Sequence, residues 1–128
     1  MRVLLESALA EVPAVLHGDD ARAVHDMRVA IRRLRSAQEA FGSRLPGRAM
    51  RRFARAAKRL GRRLGVVRDA DVALAALRGA LGGATTAEQP GIAYAIDTIA
   101  VRRRWALAAF AIELSQFDRA AFGRLLGG

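Results

Sequence analysis

Apolar residues recur at three- and four-residue spacing along most of this chain, and no segment alternates with the period of two that a half-buried strand requires. The pattern predicts a first helix over about Val3 to Leu16, with Pro13 kinking it or ending it early. Gly18 stops it, and Asp19 or Asp20 is placed to cap a second helix over about Ala21 to Phe41. Gly42-Ser43-Arg44-Leu45-Pro46-Gly47 reads as a turn. A third helix follows from about Arg48 to Leu64, with Gly65 breaking or bending it, and a fourth from about Val66 to Leu81, with Asp69 and Asp71 near its start. The stretch from Gly82 to Gly91 reads as a loop. A fifth helix runs from about Ile92 to Phe117, and Ser115 or Asp118 caps a short terminal helix ending at Leu126. The expectation is an all-α protein, an antiparallel bundle of about four to five main helices.

Composition narrows this further. A chain of 128 residues that is 52% hydrophobic can form a single domain with a real core. It has no Cys, which removes disulfides and thiolate chemistry and fits a reducing compartment. The apolar start is interrupted by Glu6 and makes a poor signal peptide. The apolar run Trp105 to Ile112 is far shorter than a membrane span. The reading is a soluble cytoplasmic protein with no membrane partner.

Charge changes the picture most. Between Arg28 and Arg68 stand thirteen arginines and one lysine against a single acid, Glu39, so this window is more positive than the whole chain at +10. Such one-sign density opposes folding unless counterions or a polyanion neutralise it. At about 100° per residue, His25, Arg28, Arg32 and Arg35 share a sector of about 80° on the second helix, beside the apolar set Val24, Met27, Ile31, Leu34 and Phe41. On the third helix Arg48, Arg51, Arg52, Arg55, Lys58, Arg59 and Arg62, joined by Arg44 if the turn stays helical, lie within about 140°, opposite Met50, Phe53, Ala57, Leu60 and Leu64. A short connection packs the two helices antiparallel. With both apolar seams turned to one core, the basic flanks meet along a groove. Solvated helix faces ordinarily mix signs; this one has almost no acids, and its guanidinium forks match pairs of phosphate oxygens.

The strings VHDMRVAIRRLRSA, Val24 to Ala37, and KRLGRRLGVVRDADV, Lys58 to Val72, resemble the two signatures of the CHAD family, the conserved-histidine α-helical domain. The resemblance covers about Ala21 to Leu77, with a looser match around Arg102 and Arg103. It implies an all-helical domain that binds inorganic polyphosphate through a basic surface, at or near polyphosphate granules. It nominates His25, Arg28, Arg32, Arg33 and Arg35 from the first signature, and Lys58, Arg62 and Arg68 from the second, with Asp69 and Asp71 as structural partners of those bases. Arg51 and Arg55 join the candidate site from their place in the basic row. The family domain is typically about twice this length, two similar bundles facing across a basic channel. The chain therefore corresponds to one half, the first, and is either a fragment or a half-domain that pairs with another chain or with a copy of itself. A homodimer of that kind would bring two basic grooves together.

Individual residues carry further expectations. His25 lies between the basic and apolar sectors, either bonded inside the bundle or touching phosphate with a charge that rises below the imidazole reference pKa of about 6.5. His17 caps a helix C-terminus. Arg33 falls on the far side of the second helix from Arg28 and Arg32, where a salt bridge or interface competes with a phosphate role. Arg68, Asp69 and Asp71 are expected to form buried ion pairs; a Mg²⁺ site is disfavoured because acids two apart on a helix diverge. Arg102, Arg103 and Arg104 point to three sectors. Trp105 is expected in the core.

Catalysis finds little support in the sequence: it has no Cys nucleophile, no GxxxxGK[ST] phosphate loop and no zinc spacing, and no catalytic residue, metal or cofactor is assigned. The competing function is nucleic-acid binding, which the pI of about 11.7 fits on charge alone, although the basic helices lack aromatics for base stacking.

Overall fold

Why the apolar seams of this chain become one core is visible in a computed structural model that describes residues 1–41 and 47–127. Among the described residues there are six helices and no strand: α1 (Arg2–Ala10), α2 (Val12–His17), α3 (Ala21–Phe41), α4 (Gly47–Gly82), α5 (Gln89–Ser115) and α6 (Arg119–Leu126). The expected turn lies outside the described residues except for Gly47, which opens α4.

The first expected helix is two helices. Glu11 stands between them as a single turn residue, and Pro13 sits in the first turn of α2, where its missing N–H costs no helical bond. Gly18 then adopts φ 118°, a region that favours glycine, and reverses the chain into α3. There Asp20 Oδ1 accepts from the Ala23 N–H at 2.9 Å and satisfies one of the free donors at the helix start. Val24, Met27, Ile31 and Leu34 of α3 are all buried, at the spacing of a single face.

Gly65 does not break the third segment from the fourth. α4 is one helix of 36 residues, about 54 Å long. A mid-helix glycine costs about 1 kcal/mol. Burying Leu64 and Val67 on either side contributes about 1.5–3 kcal/mol each, so burial wins. α5 begins three residues earlier than expected, with Pro90 in its first turn. The turn before it is tied reciprocally: Glu88 Oε1 accepts from the Thr85 N–H at 2.9 Å, and Thr85 Oγ1 accepts from the Glu88 N–H at 3.3 Å. These hydrogen bonds, the backbone one foremost, hold the Glu88 carboxyl below its ordinary pKa. α5 ends at Ser115, and Asp118 caps α6 by accepting from the Ala121 N–H at 2.9 Å.

The core is built by α1, α2 and α3, α4 up to Val67, α5 from Ala106 onward, and α6. Phe53 and Phe110 are completely buried, and Phe122 meets Phe53 edge-on at 5.4 Å and Phe117 at 4.9 Å. Beyond the core, α4 and α5 continue together as a two-helix hairpin; among residues 72–102 only Leu74 is buried. Trp105, expected inside, is 75% exposed on the outer side of α5, and Phe41 is half exposed at the end of α3. The reason for the first is geometric: the apolar residues of α5 are spread around the helix and not gathered on one face, and the bundle covers only the side carrying Ala106, Phe110 and Leu114.

One buried ion pair locks the base of the hairpin. Arg103 Nε donates to Asp71 Oδ1 at 2.5 Å, and Arg103 Nη1 donates to the Gly18 carbonyl, joining α5, α4 and the α2–α3 turn. The expected buried acid is thus Asp71, but its partner is Arg103 and not Arg68. Asp69 is exposed, and among the described residues no group of three or more potential ligands is placed to hold a metal ion.

Candidate anion-binding groove

α3 and α4 lie against each other with Gly61 facing Ile31. A Cβ placed on Gly61 would stand 3.4 Å from Ile31 Cγ2, so the glycine lets the two backbones come close and forms part of the floor between them. Above that floor opens a hollow of about 360 Å³. His25, Arg28, Arg32 and Arg35 line it from α3, and Lys58 and Arg62 from α4; Val29, Ile31 and Gly61 complete its lining. These are four residues of the first signature and two of the second. Their helical spacing gives each helix one basic flank, and burial of the apolar seams turns the two flanks toward each other.

None of these six residues is paired with a carboxylate among the described residues. The bases on the other flank of α4 differ. Arg59 Nε donates to Glu113 Oε2 of α5 at 3.2 Å, and Arg63 Nε lies 3.9 Å from Glu113 Oε1. The row expected on one side of this helix is therefore divided: among the described residues Lys58 and Arg62 face α3 with no acid beside them, while Arg59 shares Glu113 with Arg63, a base from outside that row. Glu113 had no signal in sequence, because it stands 54 residues downstream of Arg59 on a helix whose polar residues are not gathered on one face.

The remaining sequence candidates lie elsewhere. Arg33 is exposed on α3 and does not line the hollow. Arg51 is exposed, its guanidinium folded back against Gly47, where an added Cβ would stand 3.0 Å from Arg51 Nη1. Arg55 lines a separate shallow hollow with Arg52, Arg59, Gln116 and Asp118. Arg68 is half-buried and outside the groove lining. His17 is exposed in the last turn of α2, near the negative end of the helix dipole. Arg103 is consumed by its buried pair, and Arg102 and Arg104 are exposed on α5.

Fold and hollow together define an all-helical protein with a groove lined by bases from two adjacent helices. The family profile of the CHAD domain matches residues 1–126, nearly the whole chain, and the chain belongs to the CHAD family. CHAD domains in general bind polyphosphate and are binding rather than catalytic domains. No curated protein and no solved structure matches the chain. Among the described residues, no helix is long and apolar enough to cross a membrane.

Proposed function

We propose that this protein binds inorganic polyphosphate in the groove between α3 and α4, as a scaffold or granule-associated module and not as a catalyst. The observation that carries this reading is the lining: six basic side chains from two helices, with no carboxylate partner among the described residues, around one hollow. Such an arrangement is destabilised by self-repulsion and is relieved by a line of phosphates, whose condensed counterions are released as the guanidinium groups replace them. His25, Arg28, Arg32, Arg35, Lys58 and Arg62 hold the chain. Arg33, Arg51, Arg55 and Arg68 lie outside the lining and extend the positive field that draws a long polyanion in.

The competing polyanion is nucleic acid. Among the described residues no Phe, Tyr or Trp lines the groove, so it offers phosphate contacts without a platform for bases. The test is a salt-dependent titration of the purified chain with long-chain polyphosphate, RNA and duplex DNA at equal phosphate concentration. Polyphosphate binding tightest, with a steep salt dependence and a strong dependence on chain length, is the expected result. Displacement of polyphosphate by RNA or DNA would reverse the assignment.

A further inference from the structure

The bundle leaves one ordered apolar surface uncovered. Along the outer side of α5, Tyr94, Thr98, Val101, Trp105, Ala108 and Ile112 follow one another at alternating spacings of four and three residues, the heptad seam of a helix with a helical partner. Tyr94 is 76% exposed, Trp105 75% and Ile112 62%, the largest apolar side chains left open on this helix. Gly91 precedes them on the same seam, and nothing stands within 4 Å of where its Cβ would be. Asp97 and Arg104 flank the seam on one side, seven residues apart, both exposed and neither paired with an opposite charge among the described residues.

We propose that α5 pairs with α5 of a second copy of this chain, antiparallel, across this seam. A two-fold axis between Ile99 and Ala100 sets Tyr94 against Trp105 of the second copy, Thr98 against Val101, and Gly91 against Ala108, each layer occurring twice as an isologous contact requires. The seam is then filled over about 26 Å of helix. The same register sets Asp97 beside Arg104 of the second copy, again twice, so the flanking charges are complementary at two points. Charge also selects the direction. A parallel pair would bring both strongly basic bundles to the same end, whereas the antiparallel pair holds them at opposite ends. This is a different face from the groove-to-groove pairing expected from the two-bundle family form, in which two positive surfaces would meet.

Trp105 is the chain's sole tryptophan, so its emission reports this contact directly. Sedimentation of the 128-residue chain without polyanion, over a wide concentration range, should show a monomer–dimer equilibrium, with Trp105 emission shifting to the blue as the dimer forms. Trp105→Glu should raise the dimer dissociation constant by about thirtyfold or more, the loss typical of a central aromatic anchor, with helicity unchanged because the side chain is exposed in the monomer. Tyr94→Glu on the protruding hairpin should do the same and serves if the first variant folds poorly. Asp97→Arg should weaken the dimer, and adding Arg104→Asp should restore it. A chain that stays monomeric at every concentration overturns the proposal, as does a dimer indifferent to Trp105→Glu and Tyr94→Glu. Rescue of Asp97→Arg by Arg102→Asp in place of Arg104→Asp overturns the antiparallel register. Polyphosphate binding is not a readout in any arm, so failure here leaves the groove assignment standing.

Discussion

Replacing Arg28 and Arg32 together with Ala removes two of the five permanently charged side chains that line the groove among the described residues, the others being Arg35, Lys58 and Arg62. On B-DNA each neutralised phosphate contributes about 0.9 to the slope of log K against log salt. At that value the intact groove gives a slope of about −4.5 and the double variant about −2.7. If the non-electrostatic part of binding is unchanged, the same two contacts account for roughly sixtyfold in affinity at 0.1 M salt. The fold should not suffer, since both side chains are exposed on α3 and, among the described residues, no carboxylate is paired with them. Relieving the like charges at i,i+4 should stabilise the free protein slightly, by about 0.2–0.5 kcal/mol. The assay is a polyphosphate titration at four or five salt concentrations, with circular dichroism on the same samples. An unchanged slope with intact helicity would mean that the phosphates lie elsewhere, and the argument from the α3–α4 groove would be refuted.

Three further outcomes test the scaffold. Asp71→Ala strands the buried guanidinium of Arg103 and should cost about 3–5 kcal/mol in denaturant unfolding, while an apolar pair at both positions should recover most of that. Gly65→Ala should stabilise α4 by about 0.5–1 kcal/mol without altering polyphosphate affinity, because nothing stands within 4 Å of the new methyl; at Gly61 the same change presses on Ile31 at 3.4 Å, so it should stabilise less. Since Glu88 has its pKa lowered in the folded state, its contribution is complete above the ordinary glutamate value of about 4.3 and is lost as pH falls through its own lower value. Protection factors of the amides at the start of α5, corrected for the intrinsic pH dependence of exchange, should fall in that acid window, and Glu88→Gln should abolish that fall.

Much of the site is local and was therefore legible in the chain. His25, Arg28, Arg32 and Arg35 share a side of α3 because of helical periodicity alone, and Lys58 and Arg62 share one on α4 for the same reason. Val24, Met27, Ile31 and Leu34 mark the buried seam beside the first set just as directly. The caps at Asp20 and Asp118 are likewise written within a few residues of the groups they satisfy.

What the chain could not disclose was decided by contacts between residues far apart in sequence. Arg59 looks like a member of the same basic row as Lys58 and Arg62, and only the packing of α5 brings Glu113 against it and its neighbour Arg63. Asp71 looks like a partner for its neighbour Arg68, yet Arg103, thirty-two residues away, takes it. Gly65 carries the local signature of a helix break, but burial of Leu64 and Val67 outweighs its intrinsic cost. Trp105 reads as core by composition, and only the placement of α5 at the side of the bundle turns it outward. Periodicity fixes which residues share a side of a helix; which of those sides is covered, and by what charge, depends on how the helices are assembled.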